Sequence, residues 1–167
     1  MEPQELGILK GLVHETKAHA KACHKPLANG EAGRRITMGK GTGEEAVFPE
    51  HMKLLLVCVN KTHEPICIYN RARYSWEIIP AKAGEAEYVL AVEWRVIIGV
   101  FKAEKWFPAL SIHFPQLPPE HANWEEQKGR FGFIGIPASN DVKHLYLGKS
   151  VPKKWRFRGA PVRYVNF

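Results

Sequence analysis

From residue 54 onward the apolar residues of this chain are gathered in short runs, and that arrangement restricts the fold more than any other feature. Leu54–Val59 reads LLLVCV, Glu87–Val92 reads EYVLAV and Val96–Phe101 reads VIIGVF. Each run has the length and the Leu- and Val-rich content of a buried strand, and each is too brief to supply a helical face. Glu93, Trp94 and Arg95 link the second run to the third at hairpin spacing, although without the Asn-Gly or Asp-Gly pair that favours a tight turn. Gly99, inside the third run, predicts a bulge or a close approach by another element. Arg130–Ile136 (RFGFIGI) alternates Gly with large apolar residues, as suits a tightly curved sheet. Pro161–Phe167 (PVRYVNF) alternates as a closing strand would.

Helical signals are fewer. Tyr69, Ala72 and Trp76 recur at helical spacing within residues 68–78. A second helix is expected over 140–148, capped by Ser139 or Asn140 and ended by Gly148. His113–Gly129 carries three prolines and reads as a long surface loop, a kind of segment more often functional than idle. The predicted class is therefore α+β: a small, partly closed β-barrel with short helices inserted between strands. This domain is expected over 52–167, because a buried strand follows Met52 at once. Residues 1–50 read as a weakly structured extension, with a thin helical stripe (Leu6, Leu9, Val13) followed by the Gly-rich stretch PLANGEAGRRITMGKGTG.

The net charge of +7 acquires meaning from its location. Residues 141–167 hold seven basic side chains against one acidic, whereas 1–50 are balanced and 51–140 nearly so. A focused patch of one sign attracts a polyanion better than the same charge spread evenly. The plainer alternative is a basic tail that serves solubility. Three cysteines, odd in number and without framework spacing, fit reduced thiols. With no apolar stretch approaching a membrane span and no signal-peptide pattern, the expectation is a cytoplasmic protein without a membrane partner.

The residue pattern that carries chemistry is aromatic plus basic. Arg71, Arg73 and Trp76 fall in the first helical region, Trp94 and Arg95 at the hairpin, and Trp106 beyond the third strand. Lys149, Lys153, Lys154, Trp155, Arg156, Arg158 and Arg163 form a C-terminal run. Indole faces stack on bases for about 1–3 kcal/mol each while cations neutralise phosphates, so the interleaving suits single-strand or extruded-base recognition. Against this stands simple volume filling, an even match for Trp76 and Trp106 but less natural for Trp155 within KKWRFRG.

Other chemistry is poorly served. His14, His19, Cys23 and His24 lack paired zinc spacing and read as a solvated helix, so no metal or other cofactor is expected. Gly39–Gly43 departs from the phosphate-loop pattern and reads as a linker. Asp141 is the sole aspartate, which argues against a metal-dependent nuclease that gathers several carboxylates. His113, His121 and His144 are the residues available for acid–base work.

The order strand, short helix with a Trp, strand EYVLAV, strand VIIGVF, aromatic EKWF and C-terminal strand resembles the PUA-like superfamily, including its ASCH and EVE modules. The resemblance covers 52–167 and departs from the better-known members in the Pro-rich loop at 113–129. It implies a curved β-barrel that binds RNA or DNA, in some members by accepting a flipped or modified base. The expectation is thus a nucleic-acid-binding module without chemistry of its own. A small hydrolase acting on nucleic acid or nucleotides is the first rival, and a protein-interaction module using the Pro-rich loop and residues 1–50 is the second.

Overall fold

The computed structural model describes residues 41–59, 67–115, 117 and 128–167. The expected helical stripe of Leu6, Leu9 and Val13, the cluster of His14, His19, Cys23 and His24, and His121 lie outside the described residues. The elements run β1 (Leu54–Cys58), α1 (Ile68–Arg73), α2 (Pro80–Ala83), β2 (Tyr88–Glu93), β3 (Val96–Pro108), β4 (Phe131–Pro137), α3 (Asn140–Tyr146) and β5 (Val162–Val165). A 3₁₀ turn at Lys153–Trp155 precedes the last strand.

The strands form one five-stranded sheet in the order β4-β3-β2-β1-β5. β1 and β2 are parallel, and the other neighbours are antiparallel. A parallel pair needs a long crossover, and the chain between Cys58 and Tyr88 provides it, carrying α1 and α2. The central strands β1 and β2 are buried on both faces. Leu54, Leu56, Leu90, Val92, Ile97 and Val165 face a cluster completed by Tyr146 of α3, Val151 and Ala46. The intervening Leu55, Val57, Val89 and Ala91 point to the opposite face and are equally inaccessible. Two covered faces explain why LLLVC is apolar throughout instead of alternating.

β3 continues seven residues past Phe101, where its apolar run ends, because the ladder to β4 persists from Phe101↔Pro137 to Pro108↔Phe131. Exposed Lys102, Glu104 and Lys105 hide that continuation from hydrophobic patterning. Register shifts at Ala91/Val92 and Ala103/Lys105 bend the sheet. Gly135 is required at the second bend, since a Cβ there would collide with the Lys102 carbonyl oxygen. Gly99 answers to close approach, its missing Cβ lying 2.8 Å from Ile68 Cγ2 of α1.

The α+β class holds, and the five strands make one mixed sheet that is not closed. Among the described residues no pairing joins β4 to β5. The outer edge of β4 is instead met at its start by Trp76, whose N–H donates to the Phe131 carbonyl at 2.8 Å and whose carbonyl accepts from the Phe131 N–H at 2.9 Å.

Residues ahead of Met52 also contribute to the core. Ala46 is buried in the core and its N–H donates to the Ser150 carbonyl at 2.9 Å, while the Ser150 N–H donates to Glu44 O at 2.8 Å. Residues 42–50 therefore belong to the packed body. Cys58 is a free, half-buried thiol, whereas Cys67 is disulfide-bonded, so three reduced thiols is not the arrangement found. Among the described residues no helix is long and apolar enough to cross a membrane.

Candidate functional site

Because β1 and β2 are parallel, they end side by side, and the chain leaves both at one edge of the sheet. Two adjoining cavities open there, sharing Cys58 at the end of β1 and Phe157 of the returning C-terminal segment. One, of about 460 Å³, adds Val92, Trp94, Arg95 and Arg156. The other, of about 530 Å³, adds Arg71, Tyr74, Ser75, Trp76 and Arg130. Each is of a size that takes a small organic ligand, roughly 300–1,000 Å³. Ligands of parallel α/β sheets collect outside the carboxyl ends of the strands, where neighbouring connections diverge, and this cleft occupies the corresponding place.

The smaller cavity is built by the β2–β3 hairpin. Trp94 (φ 47°) and Arg95 (φ 73°) both adopt left-handed backbone, the geometry a two-residue turn needs to match strand twist. Neither is glycine, so the turn carries strain of about 1–2 kcal/mol per residue. The segment after α3 fastens it: the Val151 N–H donates to Arg95 O at 2.8 Å and the Ile97 N–H to Lys149 O at 2.9 Å. Trp94 is left 62% exposed at the lip. The same docking brings Arg156 to the cavity, where its Nε donates to Val151 O at 3.3 Å and its Nη2 to Glu45 Oε1 at 3.2 Å.

The larger cavity is built by α1 and the extended residues after it. Arg71 Nη2 donates to Val59 O at 2.5 Å and to Glu93 Oε1 at 2.6 Å, pinning the crossover to the end of β2. Burial pushes the Tyr74 phenol up to about 12, so it remains a neutral hydroxyl. Trp76 is buried and donates from Nε1 to Ala72 O at 2.6 Å, so its ring forms a wall. Ser75 sits in left-handed backbone (φ 70°), and its buried Oγ has no hydrogen-bond partner. An orphaned buried hydroxyl costs about 1–3 kcal/mol. Arg130 Nη1 donates to the Ser75 carbonyl at 3.1 Å.

The cleft is electropositive. Among the described residues four arginines line it and no carboxylate does. Glu93 neutralises Arg71 and Glu45 neutralises Arg156. Among the described residues no carboxylate lies within ion-pair distance of Arg95 or Arg130, which stand in different cavities.

The structure brings Arg71, Trp76, Trp94, Arg95 and Arg156 into this cleft and places the other predicted residues elsewhere. Arg73 is 5% exposed, its guanidinium 5.0 Å from the Tyr69 ring and 5.5 Å from the Phe114 ring, with Nε donating to Asn70. That guanidinium is held among aromatic rings and does not line the cleft. Trp106 packs on Phe133 at 5.1 Å with its Nε1 buried, away from the cleft. Trp155, in spite of its basic neighbours, packs against the core cluster, its ring 4.8 Å from Lys154 Nζ. Lys149 pairs with Glu44 at 3.2 Å, and Arg163 Nη2 donates to Arg156 O. Lys153, Lys154 and Arg158 are exposed beside the segment that carries Arg156 and Phe157.

Sequence reasoning missed Ser75, Arg130 and Phe157. Arg130 could have been found, since it opens the Gly-alternating strand. Nothing in the sequence marks Ser75. His113 stacks on Phe107 at 5.0 Å and His144 is exposed on α3, so neither lines the cleft. Among the described residues no group of three or more His, Cys, Asp or Glu could hold a metal ion. No family model matches the chain, and neither a curated protein nor a solved structure matches it.

Proposed function

We propose that this chain binds nucleic acid in the cleft at the carboxyl ends of β1 and β2, receiving an unpaired or extruded base and gripping the adjoining phosphates. In the same reading the fold is an opened PUA-like module. The observation that carries the proposal is the cleft's composition: aromatic walls and lip (Trp76, Tyr74, Trp94) beside Arg95 and Arg130, with no lining carboxylate among the described residues. Aromatic faces accept any base, and guanidinium groups in separate cavities suit successive phosphates. A ligand so held would cover the exposed indole of Trp94 without unfolding anything.

The test is fluorescence anisotropy of a labelled single strand of about eight nucleotides, within the ~4–16 that single-strand sites span. Each phosphate neutralised contributes about −0.7 to the slope of log K against log salt. The wild-type slope should be about −1.4, and Arg95→Ala and Arg130→Ala should each make it shallower by about 0.7. Salt-insensitive binding, or none, overturns the proposal.

A further inference from the structure

We infer that Ser75 is the residue through which this cleft tells one base from another, its hydroxyl hydrogen-bonding the polar edge of a base held in the larger cavity. The inference rests on the nucleic-acid reading and deepens it. Two independent oddities meet at this residue. Its backbone is left-handed (φ 70°), a conformation a serine does not adopt for its own stability. Its Oγ is buried without a partner. Strain and an unsatisfied polar group at one position, on the wall of a cavity, are what a site prepared for a ligand holds in reserve.

The surroundings specify the ligand's chemistry. Trp76, Tyr74 and Phe157 offer ring surfaces, and Val59 and Pro161 offer aliphatic ones, so the occupant is planar and largely uncharged. Arg130, bonded to the Ser75 carbonyl at 3.1 Å, sets a cation beside the hydroxyl, where the phosphate of the same nucleotide would lie. As found, the Oγ is shielded from solvent. Rotation about χ1 between staggered wells carries it toward the occupant, and the hydrogen bond gained there is the incentive. A hydroxyl both donates and accepts, so it favours the base whose edge completes its bonding and leaves the others short.

The experiment measures affinities of the full chain for single strands of about eight nucleotides that differ in one central base. Wild type should spread the bases over about tenfold, consistent with one hydrogen bond made or missed. Ser75→Ala removes the hydroxyl and keeps the backbone strain, and it should collapse the spread to about twofold with the salt slope unchanged. Ser75→Gly suits the left-handed backbone, guards against a folding defect, and should melt higher than wild type while losing the same discrimination. If either variant keeps the wild-type spread while binding stays salt-dependent, Ser75 is not the reader. If wild type shows no salt-dependent binding, the nucleic-acid reading itself fails, and this one falls with it.

Discussion

Replacing Arg95 with glycine should stabilise the protein and weaken its binding together. The turn residue stands at φ 73°, where an L side chain costs about 1–2 kcal/mol and glycine almost nothing. The added freedom of glycine in the unfolded chain returns about 0.4–1 kcal/mol of that. The net gain is about 1 kcal/mol, a rise of roughly 2–5 °C in Tm for a domain of this size. The same change removes a guanidinium that has no carboxylate partner among the described residues, and affinity for a single strand should fall roughly fivefold. Arg95→Ala is the control, since it loses the charge and keeps the strain. Thermal denaturation followed by circular dichroism, beside anisotropy on the same samples, separates the two terms. If the glycine and alanine variants melt together, turn strain is not stored at Arg95. If both bind as wild type does, the charge has no part in recognition.

Trp94→Ala should leave stability within about 0.5 kcal/mol and cost about 1–3 kcal/mol of binding, whereas Trp76→Ala should cost about 3–5 kcal/mol of stability; urea titration and anisotropy distinguish them. Gly135→Ala should cost about 3 kcal/mol in urea unfolding, because its Cβ would meet the Lys102 backbone oxygen and neither strand can yield freely. Stability should be lost with rising alkalinity. Burial raises Tyr74 from 10.0 to about 12 and also raises Tyr69 and Tyr146, so an unfolded chain sheds phenolic protons that the folded one retains. That stability is complete below about pH 10, the unfolded phenol value, and declines toward about pH 12. Denaturant midpoints that do not change between about pH 9 and pH 11 would contradict the burial of these phenols.

The strands were legible because their cores are apolar on both faces, so LLLVC, YVLAV and VIIGVF stand out without any tertiary knowledge. The far half of β3 was not, since Lys102, Glu104 and Lys105 face outward and only pairing with β4 keeps that segment extended. Closure of the sheet was likewise unreadable. It depends on whether β4 meets β5 or Trp76 at its outer edge, a contact between residues distant in the chain. For the site, Trp94 and Arg95 were visible because an indole and a cation stand together in the short link between two apolar runs. Arg73 and Trp155 stand apart from the cleft because their neighbours in sequence are basic while their neighbours in space are aromatic rings or the apolar core. Ser75 left no trace, because backbone strain and an orphaned hydroxyl exist only in three dimensions.

Backbone amide chemical shifts, followed while a short single strand is titrated into the full chain, test the location of binding most directly. The changes should concentrate at residues 58–59, 71–76, 94–95, 130 and 156–161. Shifts confined to the outer half of β3 and to α3, or a spectrum that does not move, would contradict the account.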